Sequence, residues 1–342
     1  MIRTSIQRSS TYKVSTGIAR RLLMTAAVIA LPSVANADFF VLDNPGDPNF
    51  NQLLGINDGR VIVGYFGDGT VVANNGYVLV PKNHYSAENF TNLPSGDFAS
   101  QTQAIGINSR ELPEIVGFYT DNATGFTHGF LDVEGDQLTV DDPKGVTGIT
   151  TPTQNLLGIN NNNKAAGFWT DNNGKTHGFV VDIKPKTHTF TFIEVGPNKF
   201  PGAVSTQVSG INNDNEICGF FTDAKGNSTS FFGPVGGKLT TFSVIIGSPV
   251  PVTQALGCND GDEVVGTFTD FKGNVHGFFG NVFASGNTFK IFNAPGSKQT
   301  KAFGVQGTTI NGVDNAGDIV GFFSDGAQVH GFVDFVQPNG NE

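Results

Sequence analysis

Residues 103–130 read QAIGINSRELPEIVGFYTDNATGFTHGF, and variants of this stretch recur along the chain. Its Gly-Ile-Asn segment belongs to a set of six Gly-x-Asn or Gly-x-Asp triplets, spaced by 51, 52, 52, 47 and 55 residues. The six are Gly55-Ile-Asn57, Gly106-Ile-Asn108, Gly158-Ile-Asn160, Gly210-Ile-Asn212, Gly257-Cys-Asn259 and Gly312-Val-Asp314. A period near fifty residues, built from short β-like runs, is typical of a propeller in which each repeat forms one sheet.

The quoted repeat predicts four short strands. They cover residues 103–108, 115–120, 128–132 and 138–141, and clusters of Asp, Asn and Gly separate them. Such clusters favour tight turns. The second strand is apolar on both faces, as expected of a sheet packed between two others. No segment shows a sustained helical period, so we expect an all-β fold.

The two ends of the repeat array complement each other. Residues 39–46 resemble a fourth strand and precede the first triplet, whereas the last repeat, 312–336, contains only three strands. Pairing them would complete the final sheet and remove two exposed edges. We therefore predict a six-bladed β-propeller whose final blade is closed by the N-terminal strand, in a three-plus-one arrangement. The alternative is a β-solenoid, but an open stack would not need this strand.

Residues 1–37 have the pattern of a secretory signal peptide. Five basic residues and no acidic residue precede an apolar run at 22–31, and a small-x-small sequence, Ala35-Asn36-Ala37, follows it. The apolar run is too short to span a bilayer. Arg20-Arg21 leaves a twin-arginine route open. We predict a signal peptide at 1–37, the propeller at 38–337 and a short disordered tail at 338–342, in a secreted or periplasmic protein.

Charge excludes two classes of partner. Without the five basic residues of segment 1–37, 15 Lys and Arg stand against 30 Asp and Glu, a net charge of −15. Nucleic acids and anionic membranes would be repelled by that field. The sequence contains no cofactor motif and no cysteine cluster of metal-binding spacing. We expect no cofactor, no metal and no membrane insertion, in a monomer that binds an extracellular protein or carbohydrate.

The motifs Gly-Ile-Asn, Ile-Val-Gly-Phe and Thr-His-Gly-Phe resemble the HAF repeats of bacterial extracellular proteins, which are named for a His-Ala-Phe tripeptide. Here that tripeptide reads His-Gly-Phe at His128, His177, His276 and His330. Repeats one and four depart from it, with Asn75-Gly-Tyr77 and Ser230-Phe-Phe232. The resemblance covers nearly all of the chain after residue 37. It implies an exported bacterial protein of a family without a settled biochemical role, and it supplies no catalytic residues.

Four aspartate–histidine pairs recur at one position of the repeat: Asp121 with His128, Asp171 with His177, Asp270 with His276 and Asp325 with His330. A metal or acid–base site is one interpretation, and a hydrogen bond between the second and third strands of each blade is the other. Equivalent residues on different blades lie too far apart to share one ion at about 2 Å. A catalytic site also needs unlike groups that converge. The repetition therefore favours the structural interpretation.

Three further features leave alternatives open. The Asp- and Asn-rich connections at 259–263 and 314–318 suggest calcium, but turn propensity alone explains them. Cys218 and Cys258 occupy aliphatic positions as small buried hydrophobic residues, although an exported protein also permits a disulfide. The insertion at 81–88 places His84 and Tyr85 on an exposed loop, which is either a recognition loop or a tolerated insertion.

We predict a non-enzymatic, exported binding module with the propeller as a rigid scaffold. One alternative is a hydrolase or lyase that acts on an extracellular polymer at the mouth of the central channel. The other is a glycan-binding propeller, although one Trp and five Tyr provide few platforms for sugars. Propellers support all three functions. A cluster of unlike polar residues from different blades would favour the enzyme.

Overall fold

The computed structural model describes residues 39–82, 85–93, 99–244, 251–284 and 289–335. Within these ranges the chain forms 24 β-strands and short 3₁₀ turns, without an α-helix. The prediction of an all-β fold is confirmed. The predicted signal peptide at 1–37, the tail at 338–342 and His84 lie outside the described residues. No helix in the described part of the chain is long and apolar enough to cross a membrane.

The strands follow the sequence repeats. The chain begins with β1 (Phe39–Val41), and the first three repeats contain β2 (Asn51–Ile56), β3 (Ile62–Phe66), β4 (Asn75–Leu79), β5 (Phe90–Asn92), β6 (Ala99–Ile107), β7 (Glu114–Asp121), β8 (Thr127–Val133), β9 (Asp136–Thr139), β10 (Gln154–Ile159), β11 (Lys164–Thr170), β12 (Thr176–Lys184) and β13 (Thr189–Val195). The last three contain β14 (Ala203–Ile211), β15 (Glu216–Asp223), β16 (Ser228–Pro234), β17 (Thr240–Phe242), β18 (Val252–Cys258), β19 (Glu263–Thr269), β20 (Val275–Asn281), β21 (Lys290–Phe292), β22 (Thr308–Val313), β23 (Ile319–Ser324) and β24 (Val329–Asp334).

Each repeat forms an antiparallel sheet of consecutive strands, as in the order β6-β7-β8-β9. The last three strands are joined by β1, in the order β1-β24-β23-β22. Phe39 lies opposite Asp334 and Val41 opposite Phe332. Beyond the strand, Leu42 N donates to Gly331 O at 2.9 Å. The first strand of the chain therefore occupies the fourth position of the last sheet.

Neighbouring sheets touch through single parallel bridges at equivalent positions. These bridges join Thr127 to Thr153, Ser228 to Val252 and Phe50 to Val329. The bridge from Ser228 merges the sheets of repeats four and five into one eight-stranded sheet. The bridge from Phe50 joins the first repeat to the last.

Two glycines of each repeat allow close packing. The glycine of the Gly-x-Asn triplet follows a register shift in the innermost strand, as between Leu156 and Gly158. A methyl group on Gly158 would lie 3.0 Å from the Cα of Gly210 in the next repeat. The glycine of the second strand is more restricted, because a methyl group on Gly117 would lie 1.9 Å from the carbonyl oxygen of Gln103. The repeated glycines are thus required by space.

Aromatic side chains fill the layers between the sheets. The ring that follows the glycine or serine of the third strand is fully buried in all six repeats, at Tyr77, Phe130, Phe179, Phe231, Phe278 and Phe332. Each such ring stabilises the fold by about 1.5–3 kcal/mol relative to an exposed one. Phenylalanines at one position of the second strand are buried as well, among them Phe66, Phe268 and Phe323.

Candidate functional site

The six Gly-x-Asn triplets converge on one cavity. It has a volume of about 60 Å³ and is lined by the last two residues of each triplet together with the residue that follows. This volume has room for about four water molecules, whereas ligand pockets commonly measure about 300–1,000 Å³. The cavity is too small for a sugar ring or a polymer chain.

The asparagine of each triplet joins its own repeat to the next. Its side-chain amide donates to the backbone carbonyl of the equivalent residue: Asn57 to Asn108 (2.9 Å), Asn108 to Asn160 (3.3 Å), Asn160 to Asn212 (2.8 Å), Asn212 to Asn259 (3.2 Å) and Asn259 to Asp314 (2.8 Å). The side-chain oxygen closes the local turn, since Asn259 Oδ1 accepts from Gly261 N and Glu263 N. In the loop considered for calcium, this oxygen therefore already bonds to the backbone.

The residue after each triplet forms a second series of bonds. Its backbone N–H donates to a side-chain oxygen of the next repeat: Asp58 to Ser109 (3.0 Å), Ser109 to Asn161 (2.8 Å), Asn161 to Asn213 (2.8 Å), Asn213 to Asp260 (2.8 Å), Asp260 to Asn315 (3.0 Å) and Asn315 to Asp58 (3.0 Å). The sixth bond runs from the last repeat back to the first. Donors and acceptors around the cavity are thus largely engaged with each other.

One position in this arrangement differs. Asp314 stands where the other repeats have asparagine, and its Oδ1 accepts from Ala316 N and Asp318 N, both at 2.9 Å. Its Oδ2 is buried and has no hydrogen-bond partner among the described residues. Burial, together with the nearby Asp318 carboxylate, raises the pKa of Asp314 to about 7. This carboxyl group is the chemically unusual member of the cavity lining.

A third set of polar residues lies at the other end of the innermost strands, four positions before each triplet glycine. All six are buried: Asn51, Thr102, Gln154, Thr206, Thr253 and Thr308. Each bonds to the preceding sheet, as Thr206 Oγ1 accepts from Gly178 N at 2.9 Å and donates to Val195 O at 2.7 Å. Asn51 Nδ2 donates to Leu42 O, just after β1. Sequence reasoning missed this set, although its fixed spacing was visible.

We expect Thr206→Val to lower the free energy of unfolding by about 1–3 kcal/mol, because Gly178 N and Val195 O would remain buried without partners. The control is Thr191→Val on the exposed face of β13, which should stay within about 0.5 kcal/mol of the parent. Urea denaturation measures both. Equal stability of the two variants would contradict a bracing role for Thr206.

Three of the four recurring histidines bond to a residue just after the fourth strand of their sheet, a contact that the sequence does not suggest. The Nδ1 atom of His128 lies 2.6 Å from Asp141 Oδ2, and the Nδ1 atom of His330 lies 2.7 Å from Asp43 Oδ2. The Nδ1 atom of His276 lies 2.7 Å from Asn293 Oδ1. Asp43 follows β1 as Asp141 follows β9, so β1 has the register of a fourth strand.

The predicted aspartate partners lie on the other side of the imidazoles. The distance from the histidine Nε2 to the aspartate Oδ2 is 3.3 Å for His177 and Asp171, 3.4 Å for His276 and Asp270, and 3.6 Å for His330 and Asp325. Asp121 departs from this pattern: its Oδ1 accepts from the backbone and hydroxyl of Thr124, and among the described residues no hydrogen bond or ion pair joins it to His128. Burial opposes ionisation of Asp270, but hydrogen bonds from Asn274, Lys272 and His276 outweigh it and lower the pKa of Asp270 to about 2.

Each of these histidines also stacks on an aromatic ring of the second strand. The closest pair is His177 on Trp169, with ring centroids 4.1 Å apart and planes 10° apart. Trp169 is only 8% exposed. The ring is therefore not a free platform for a sugar. Among the described residues, no three His, Cys, Asp or Glu side chains are grouped as a metal site.

Within the insertion at 81–88, residues 81–82 and 87–88 are exposed as the sequence suggested, whereas Tyr85 is not. Tyr85 is only 6% exposed, because its ring stacks on Phe335 with centroids 5.9 Å apart. Its hydroxyl donates to Arg60 O at 2.7 Å. Tyr85 thus anchors the insertion to the first and last repeats. A recognition role for this loop remains a prediction.

The two cysteines lie on either side of Gly210. A methyl group on that glycine would be 2.7 Å from Cys218 Sγ and 3.3 Å from Cys258 Sγ. Both thiols are free. A hydrogen bond with Cys218, together with burial, raises the pKa of Cys258 well above its usual range. Cys218 is buried as predicted, whereas Cys258 is partly exposed and lines the cavity.

Comparison with solved structures identifies the type of fold. The fucose-specific lectin from Aleuria aurantia is similar over 85% of this chain and 95% of its own, with 11% identity and a TM-score of 0.55. Trypanosoma rangeli sialidase is similar over 84% of this chain, with 10% identity and a TM-score of 0.50. This chain spans about half the length of the sialidase, 54%. Both neighbours are propellers, and at this identity the likeness shows the fold alone. No family model matches the chain, and no curated protein matches it.

Proposed function

We propose that the chain is a six-bladed β-propeller closed by β1, and that it works outside the cytoplasm as a non-enzymatic binding module. Contacts between the last and first repeats support the closure. Asn315 N donates to Asp58, and Arg60 Nε lies 2.8 Å from Asp318 Oδ2. The predicted signal peptide and the resemblance to HAF repeats support the export.

The cavity lining is the observation that favours a binding module over an enzyme. A catalytic site needs unlike groups that converge around a substrate. Here six repeats contribute equivalent residues, and their amides and carbonyls bond to each other. The volume of about 60 Å³ leaves room for water but not for a polymer. The proposed partner therefore binds on the outside of the propeller.

Exposed phenylalanines favour a protein partner over a carbohydrate. Phe271 is 61% exposed in the turn between β19 and β20, and Phe303 is 49% exposed in the connection from β21 to β22. In an antiparallel meander, these two connections leave the sheets at the same end, opposite the Gly-x-Asn cavity. Aromatic residues, phenylalanine among them, are enriched in the cores of protein–protein interfaces. We propose this end as the binding face, because it carries two of the three exposed phenylalanines of the described residues. The third, Phe283, lies in the connection from β20 to β21 at the cavity end.

The test compares binding and turnover in residues 38–342. Extracellular polymers and a glycan panel that includes fucosylated oligosaccharides are incubated with the protein, and proteins of the culture supernatant are offered to it on a biosensor. We expect no released sugars, and saturable protein binding that Phe271→Ser with Phe303→Ser weakens at least tenfold. The control is Leu112→Ser, an exposed apolar residue in the connection between β6 and β7, at the cavity end.

The other outcomes identify the alternatives. Release of soluble sugars would establish the hydrolase or lyase instead. Saturable binding of a glycan, without protein binding, would establish the glycan-binding propeller, and the lectin comparison makes fucose the first sugar to examine. A ligand at a hundredfold excess over its Kd should also stabilise the chain by roughly 2.7 kcal/mol, which a thermal shift detects.

A further inference from the structure

The junctions between successive repeats are built alike, with one exception. At five positions an asparagine amide donates across the junction to a backbone carbonyl, as Asn57 does to Asn108 O. In the sixth repeat the same position holds Asp314, whose Oδ1 closes the turn as the asparagine oxygens do. An ionised carboxylate has no proton to donate. The junction from the last repeat to the first would therefore lack the bond that the other five have.

The surroundings of Asp314 disfavour its ionised form. The residue is 3% exposed, and its Oδ2 is buried without a partner among the described residues. Two further carboxylates face it, Asp318 of its own repeat and Asp58 of the first repeat. Among the described residues, the Arg60 guanidinium is paired with Asp318 at 2.8 Å, and the hydroxyl of Tyr85 donates to the carbonyl oxygen of Arg60 at 2.7 Å. An unpaired buried charge beside like charges is costly, whereas a neutral carboxyl group is not.

We propose that Asp314 is protonated in the folded chain and that its Oδ2–H donates to the carbonyl oxygen of Asn57, which makes the sixth junction equivalent to the other five. The inference rests on the proposed closure between the last and first repeats, but not on the binding function. A single proton then adds this bond to the Asn315–Asp58 and Arg60–Asp318 contacts between the last and first repeats, and deprotonation removes it.

The sign of the pH effect follows from the raised pKa. Burial, with Asp318 and Asp58, holds the pKa of Asp314 at about 7 in the folded chain, against about 3.9 in an unfolded chain. The folded state thus binds more protons between these values. The stabilisation is complete below about pH 3.9 and is lost as pH rises through about 7. Another carboxylate on the cavity rim, Asp260, accepts a hydrogen bond from the Asn315 side chain.

The experiment measures Tm at pH 5 and pH 8 for the parent, Asp314→Asn and Asn57→Asp. Asparagine at position 314 supplies a permanent donor, so we expect the parent to lose roughly 5 °C more than Asp314→Asn between the two pH values. Asn57→Asp places a carboxyl group at the junction between the first two repeats, where Val61 rather than an acid occupies the turn end. We expect it to acquire an additional loss that is smaller than that of the parent, because no carboxylate equivalent to Asp318 adds to the effect of burial there. Infrared spectra of the parent should show a protonated carboxyl band at pH 5 that disappears by pH 8.

Distinct results would overturn distinct parts of the inference. If neither variant changes the pH dependence, the protonated donor is wrong at both junctions. If only Asn57→Asp changes the pH dependence, a protonated carboxyl group can donate at the junction between the first two repeats. The closure between the last and first repeats is then wrong. If millimolar CaCl₂ raises Tm at pH 8 in the parent but not in Asp314→Asn, a cation rather than a proton occupies the site, which also overturns the inference.

Discussion

Deleting residues 38–46 from the chain that starts at residue 38 is expected to destabilise the fold by more than about 5 kcal/mol. Partly buried Phe39 stacks on Phe332 with centroids 5.4 Å apart, and the buried Leu42 contributes about 1.5–3 kcal/mol. The deletion also removes Leu42 O, the acceptor of the buried Asn51 amide, at a cost of about 1–3 kcal/mol. The exposed edge of β24 would favour aggregation. Thermal melts with light scattering measure the effect.

A matched control removes residues 338–342 instead, the predicted tail, which should leave Tm within about 2 °C of the parent. A synthetic peptide of residues 38–46 added to the truncated chain should restore part of the lost stability, since it can pair with β24. A truncated chain that melts at the parental temperature would show that β1 does not complete the last sheet.

Gly117→Ala is expected to cost about 3 kcal/mol or more. The added methyl group would lie 1.9 Å from the carbonyl oxygen of Gln103 and 2.9 Å from the ring of Phe130. Neither group is a flexible chain end, so the backbone of β6 or β7 must move. Denaturant unfolding gives the difference in free energy.

The control for this glycine is Gly261→Ala, in a turn where the nearest atom to the added methyl group is Asn259 Oδ1 at 3.4 Å. It should change stability by less than about 1 kcal/mol. If Gly117→Ala were no more destabilising than this control, the close approach of β6 and β7 at the repeated glycine would be wrong.

The strand pattern could be predicted because its signals are local. Alternating runs, Asn- and Gly-rich turns and the period near fifty indicate four strands per repeat, and the structure has them. The placement of β1 was also predictable, because residues 39–46 resemble the fourth strand that 312–336 lack. Pairing of Phe39 with Asp334 agrees with this expectation.

The contacts between repeats could not be predicted in the same way. Asp43 is 287 residues from its partner His330, so no local pattern connects them. The asparagine of each triplet looks like an ordinary turn residue, and only the neighbouring sheet reveals that its amide crosses the junction. The raised pKa of Asp314 likewise depends on its burial. The sequence shows that Asp stands where the other repeats have Asn, but it does not show that this residue is buried.

The most direct test of the proposed closure by β1 is amide hydrogen exchange of residues 39–46, measured by mass spectrometry on the folded chain and compared with β24. Leu42 N donates to Gly331 O, and β1 pairs along its whole length with β24. We expect the two strands to exchange with similar slow kinetics, because they would open only together. Exchange of residues 39–46 at the rate of an unfolded peptide, while β24 stays protected, would contradict the account.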